Sequence, residues 1–315
     1  MLLLLSAGAC SRQAQETVTL AFLGDIMIGR DVYAGHQDGD WDTALAAISP
    51  ALQGADLALG NLESPVCLSG SCRDLLESKN TSGSVPDNIN LCAPPDGASM
   101  LGGAGIDLLA AVNNHNTDCL ELDTASTEEH LAFWQRNGIG LIQSETHLVM
   151  RTVNGIKFAF LAFDDITSPL DIEEAQALTT AAKKKSDFTV VSVHWGAEYQ
   201  ASPTTRQRSI ATALSEAGAD VIWGHHPHIL QAVERPGRGD GTQTLVMYSL
   251  GNALFDQFVP DDTRQSALVM VTLSRKGIKL VEAVPFLIDP FGGVVSLADP
   301  LSAEVILQKL HLTVP

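Results

Sequence analysis

The stretch Val221-Ile222-Trp223-Gly224-His225-His226-Pro227-His228 sets an apolar run directly against three imidazoles within four positions. The apolar half reads as a buried strand. The imidazoles after it are costly as packing, because each ring nitrogen removed from water needs a partner, and natural as metal ligands. The same arrangement recurs outward from this point. Asp25 follows Leu20-Ala21-Phe22-Leu23, and Glu63 follows Leu57-Ala58-Leu59-Gly60-Asn61-Leu62. Asn114 and His115 follow Leu108-Leu109-Ala110-Ala111-Val112, and His194 follows Val190-Val191-Ser192-Val193. Taken singly, Asp25 and Asn114 read as turn residues, Glu63 as surface and His194 as a satisfied histidine at the core boundary. Taken together they form a pattern, because crossover connections gather the carboxyl ends of strands at one edge of a sheet, where ligand sites form.

Short apolar runs alternate with helical patterns along the chain, which specifies an α/β fold. Strands are expected at 17–23, 56–59, 106–112, 188–193, 220–223, 245–250, 267–273 and 278–286, the last two joined at Lys276-Gly277. Asn154-Gly155 between 147–153 and 156–163 signals a hairpin. Helices are expected at 41–52, 98–104, 125–137, 171–185 and 204–217; Gly138 and Gly218 stop two of them. Residues 64–95 are rich in Ser, Gly, Asn, Pro and Cys and read as a long loop or insertion over the site. One domain spanning 17–315 accommodates the whole pattern.

With 315 residues, 45% of them hydrophobic, the chain can bury a large core. Its net charge of −18 opposes nucleic-acid binding, which needs a basic surface, so no nucleic-acid partner is expected. The same charge would repel an anionic substrate unless a metal centre supplied local positive charge. At the start, Met1-Leu2-Leu3-Leu4-Leu5 is apolar but too short to span a bilayer. Ser6-Ala7-Gly8-Ala9-Cys10 after it resembles a bacterial lipobox, although Ala7 stands where Leu is usual. Residues 1–10 are thus expected to be an export signal with Cys10 as the lipid-attachment residue, and 11–16 a tether. A plain signal peptide cleaved nearby is the alternative. Four cysteines remain, and in an exported chain an even count suggests disulfides. Cys67 and Cys72 form the local pair, which leaves Cys92 with Cys119. A structural zinc site and buried free thiols are the rival readings.

Carboxylates, imidazoles and an amide oxygen suit divalent Zn, Mn or Fe. Two such ions can clamp a phosphoryl oxygen and activate water, and a neighbouring histidine can protonate the leaving group. The segments GDIMIGR at 24–30, NLESPV at 61–66, NNHNTD at 113–118, HWGAEY at 194–199, GADVIWGHHPHILQAVE at 218–234 and YSLGNALFD at 248–256 together resemble the CapA family. That family is associated with poly-gamma-glutamate and capsule biosynthesis. The resemblance implies a calcineurin-like metallophosphatase fold, a four-layer α-β-β-α sandwich of two mixed sheets. It also implies two metal ions: Asp25 and a bridging Glu63 at one, Asn114 and His194 joining Glu63 at the other, and His226 and His228 closing the two sites. His115 would be the catalytic histidine. His225 would stand behind the ligands. By position, Arg30 could face a substrate anion or form a surface salt bridge, Glu198 and Tyr199 could position substrate or orient His194, and Asn252 would shape a turn beside the pocket.

The departures also carry information. Metallophosphatases place a histidine two residues after the first aspartate, where this chain has Met27, and their bridging carboxylate is Asp rather than Glu63. Ala253 stands where the family often has an aromatic residue. The expected function is an exported, membrane-anchored, metal-dependent hydrolase of phosphoesterase type. It would act on an anionic envelope polymer or a phosphoester precursor, with a polymer synthase as a possible partner. A non-catalytic polymer-binding subunit is the alternative, and an exported nucleotidase a third reading.

Overall fold

The computed structural model describes residues 17–36, 39–69, 90–119, 123–290 and 293–312. The expected export signal, lipid-attachment residue Cys10, tether and Cys72 lie outside them. Two sheets form the centre. The first contains β1 (Thr17–Ile26), β2 (Leu57–Leu62), β3 (Leu108–Ala110), β4 (Gly140–Ile142), β11 (Asn252–Leu254), β12 (Gln265–Ser274), β13 (Gly277–Ile288) and β14 (Val295–Leu297). Its order is β14-β13-β12-β1-β2-β3-β4, with β11 also pairing β1. The second contains β5 (Val149–Val153), β6 (Ile156–Asp164), β7 (Phe188–His194), β8 (Val221–His225), β9 (Val233–Glu234) and β10 (Leu245–Met247), in the order β5-β6-β7-β8-β10-β9. Both are mixed: β1 runs parallel to β2 and antiparallel to β12, and β6 parallel to β7 and antiparallel to β5.

The period-two alternation of β1 shows how the layers arise. Val18, Leu20 and Phe22 enter the core between the sheets with Phe158, Phe160, Val190 and Trp223, while Ala21 and Leu23 face the opposite way. That outer face packs on helices α2 (Ser49–Gly54), α3 (Ala98–Ala104) and α4 (Thr127–Arg136) through Leu52, Leu101 and Trp134. The outer face of the second sheet, including Leu161, Val191 and Ile222, packs on α5 (Ile172–Lys183) and α6 (Thr205–Glu216) through Ala175, Ile210 and Leu214. The result is the α-β-β-α sandwich expected from the sequence. Both α4 and α6 open with capping boxes, Ser126 with Glu129 and Thr204 with Gln207, so their first N–H groups are satisfied where the apolar stripe begins.

Several local features differ from expectation. Residues 41–52 do not form one helix: a 3-10 turn at Trp41–Thr43 is followed by the separate α2, because Pro50 lacks an N–H and fits only a helix start. A short helix α1 (Arg30–Gly35) follows the first motif directly, and α7 (Pro300–Lys309) sends Ile306 into the inter-sheet core. Strands β4, β9, β11 and β14 are too short to show a period in the sequence. Cys92 and Cys119 form a disulfide, as expected, with Cα atoms 5.2 Å apart. The companion pairing of Cys67 with Cys72 falls on a residue outside those described. Among the described residues no helix is long and apolar enough to cross a membrane.

Candidate metal centre

The parallel strands β1, β2, β3, β7 and β8 end at one rim of the sandwich, and each delivers polar side chains there. Asp25 lies near the end of β1 beside a register shift, its N–H donating to the Gly251 carbonyl at 3.0 Å. Its carboxylate is fully buried and held from several sides. Asn61 Nδ2 donates to Oδ1 at 2.8 Å and the His226 N–H donates to Oδ2 at 3.2 Å. His225 Nδ1 lies 3.1 Å from Oδ1 and His228 Nδ1 lies 3.4 Å from Oδ2. Burial alone would raise the Asp25 pKa, but His225, His228 and Asn61 outweigh it and hold the group below the usual carboxylate value.

Glu63, one residue beyond β2, is also fully buried, with Oε1 3.1 Å from His194 Nε2 and Oε2 3.9 Å from His228 Nε2. Among the described residues, neither oxygen of Glu63, neither ring nitrogen of His194 and not the Asn114 Oδ1 has a hydrogen-bond partner. Burial, then the charges of Asp25, Glu198 and Asp118, push the Glu63 pKa well up. Burial also pushes the His194 pKa well down, and His226 to about 4, with neighbouring imidazoles adding to both shifts. Buried polar atoms without partners cost roughly 1–3 kcal/mol each, and more when charged. A cation bound by Glu63 and one His194 nitrogen would satisfy those atoms, lower the Glu63 pKa and keep the imidazoles neutral as ligands. The donor set therefore fits a divalent metal. Donor atoms of Asp25, Glu63 and His194 lie within 4.8 Å of one another, and so do those of Glu63, His226 and His228. Glu63 is common to both groups.

His226 and His228 adopt positive φ values of 94° and 57°, which for residues other than Gly and Asn is strained backbone typical of functional sites. The strained turn brings the His226 ring 4.9 Å from that of His194 and 5.9 Å from that of His228. Asn252 Oδ1 accepts from His228 Nδ1 at 2.8 Å, which leaves Nε2 as the unprotonated nitrogen on the Glu63 side. Met27 takes no part: it is buried on the helix side of the first sheet, where its sulfur accepts the Gly29 N–H at 3.0 Å. His225, fully buried, instead lies against Asp25 and edge-on to Trp223.

The remaining expected residues ring this cluster. His115 bears electrostatically on His194 and His226, and its Nδ1 lies 2.9 Å from Asp118 Oδ2. Arg30, at φ 47°, pairs with Asp256. Tyr199 is 39% exposed, its ring centroid 6.4 Å from that of His228, and burial followed by Glu198 raises its pKa to about 12. Three contributors were not singled out in the sequence: Asn61, Asp118 and Asp256. Asn61 had a usable signal, since it is a polar residue inside a strand buried at every position.

Two mixed sheets sandwiched by helices, with carboxylates and imidazoles massed at the strand ends, define the metallophosphatase-like fold class. A crystal structure described as a novel phosphatase from Mycoplasma pneumoniae shares the fold, with a TM-score of 0.54 and 13% identity over 92% of this chain and 97% of that one. Within the class, the chain belongs to the bacterial capsule synthesis protein family PGA_cap, whose model matches residues 19–257. Similar relatives include the capsule biosynthesis protein CapA of Bacillus anthracis, 31% identical over 86% of this chain and 67% of that protein. The PGA biosynthesis protein CapA of Bacillus subtilis (strain 168) is 29% identical over 94% of this chain and 78% of its own length.

Proposed function

We propose that this protein is a metal-dependent hydrolase of phosphoesterase type, acting in the synthesis of a capsular or poly-gamma-glutamate-like envelope polymer. The observation that carries the reading is the set of fully buried donor atoms on Glu63 and His194 that face one another without hydrogen-bond partners among the described residues. Asp25, Glu63, Asn114, His194, His226 and His228 would hold two divalent ions, of Mn, Zn or Fe. When bound, such ions supply a Lewis acid for a phosphoryl oxygen and lower the pKa of water.

The protein's own groups have distinct tasks. Asn61, His225 and the His226 N–H orient Asp25. Asn252 sets the tautomer of His228. His115, its Nδ1–H held by Asp118, would protonate the leaving oxygen from Nε2–H when the ring is doubly protonated. Arg30 and Tyr199 border the substrate side, where an anionic polymer or phosphoester would enter. Export, and a lipid anchor at Cys10 that places the domain at the outer face of the membrane beside a synthase, complete the reading.

A second reading, a polymer-binding accessory subunit, is favoured by Met27, whose sulfur is turned from the carboxylates and leaves the Asp25 side one imidazole short of the metallophosphatase pattern. Metal analysis and hydrolysis of an aryl phosphate separate the two. The enzyme reading expects bound divalent metal and turnover that a chelator abolishes. Folded protein without metal and without turnover would favour the accessory role.

A further inference from the structure

The segment that carries His115 is anchored in an unusual way. Asp118 Oδ2 lies 2.9 Å from His115 Nδ1 and also accepts the Leu91 N–H at 2.6 Å. Asn90 Nδ2 donates to the Asp118 carbonyl at 2.8 Å, while Asn90 Oδ1 accepts the Cys92 N–H at 2.8 Å. Residues 90–92 therefore grip Asp118 by side chain and backbone, and the next residue, Cys119, is covalently bound to Cys92. The same strip continues to the other half of the site. Ala93 exchanges hydrogen bonds with the segment just after Glu63, its N–H donating to the Pro65 carbonyl at 2.9 Å and its carbonyl accepting the Cys67 N–H at 2.8 Å. Asn113 Nδ2 donates to the Leu62 carbonyl at 2.8 Å. One crosslink thus ties together the loops that bear His115 and Glu63.

We infer that Asp118 is a positioning residue for His115 and that the Cys92–Cys119 disulfide holds it in place. A carboxylate on Nδ1 selects the tautomer with its proton there, which fixes the ring and leaves Nε2 as the unprotonated nitrogen. Among the described residues Asp118 is held by its turn and by the 90–92 strip, so the pairing depends on that strip staying docked. The catalytic consequence rests on the hydrolase reading; the tautomer does not.

The test uses the full chain labelled with 15N-histidine at alkaline pH, with His115→Ala to assign the ring signals. Wild type should show His115 as a single Nδ1–H tautomer. Asp118→Ala should lose it, and Cys92→Ser/Cys119→Ser should show a mixture; if that variant does not fold, reduction of the folded wild type replaces it. In turnover, Asp118→Ala should lower kcat by about 10- to 100-fold with KM and metal content unchanged. A His115 tautomer unaltered in Asp118→Ala overturns the positioning role, and one unaltered by opening the disulfide overturns the brace. Wild type without metal or turnover would instead overturn the hydrolase reading, while the ring signals still decide this one.

Discussion

His194 Nε2 lies 3.1 Å from Glu63 Oε1 with both side chains wholly buried, and neither atom is aligned for a hydrogen bond to the other or to any other described residue. Burial favours a neutral Glu63 and a neutral His194, so in the absence of a cation Glu63 is held against its solution behaviour.

Metal content tests this directly. Protein purified without chelator should carry about two equivalents of divalent metal, the stoichiometry of paired hydrolytic sites. Glu63→Gln should bind less than half as much, because the carboxylate common to both donor groups is gone. After stripping, the order of stability should not follow that of metal content. Metal-free Glu63→Gln should melt no lower than metal-free wild type, since the substitution removes a buried carboxylate without partners. Elemental analysis and thermal melts with and without chelator measure both effects.

His226 and His115 should separate binding from turnover. His226→Ala removes a donor and should lower metal content and turnover together. His115→Ala should keep the metal and lower kcat on an aryl phosphate by roughly 100-fold or more, the usual scale of a lost general acid. Unchanged kcat in His115→Ala would refute its role as acid.

Acid should destabilise the metal-free protein through its histidines. An unfolded histidine titrates near 6.5, whereas His226 in the fold titrates at about 4. Between those values the unfolded chain binds more protons, so stability falls as pH drops through the window. At roughly 1.4 kcal/mol per pH unit, His226 accounts for about 3 kcal/mol of loss by pH 4. Glu63 has the opposite sign, because its raised pKa makes the fold lose stability as pH climbs above 4.5. Denaturant unfolding at pH 6.5 and 4 should therefore show a smaller acid loss in His226→Ala than in wild type.

Gly24→Ala should disrupt the rim that positions Asp25. A Cβ there would sit 1.9 Å from the Gly251 carbonyl oxygen, so β1 and β11 would have to separate. The Asp25 N–H to Gly251 bond would go with them. A loss of about 2 kcal/mol or more, with reduced metal uptake, is expected from unfolding curves and metal titration. Native-like stability would show that the two strands can part without cost.

Much of the fold was legible because its signals are local. An apolar run that ends in a polar residue marks a strand and its terminus, and Leu20–Asp25, Val190–His194 and Val221–His225 carry that mark within a few positions. Pro50 shows the limit: the apolar spacing of 41–52 suits a helix, yet one missing N–H divides it. Strands of three residues such as β4 and β11 have no period to read and exist because a neighbour supplies the pairing.

The residue types of the site, and their assembly at strand ends, follow from the chain alone. What needed the tertiary structure was their pairing. Met27 turns to the helix side, His225 lies against Asp25, His194 shares space with both Asp25 and Glu63, and Asp118 reaches back to His115. Periodicity along a strand decides which face a side chain occupies. The distance between two side chains on different strands depends on how the sheets twist and pack, and on strained turns such as His226 to His228, which no local pattern encodes.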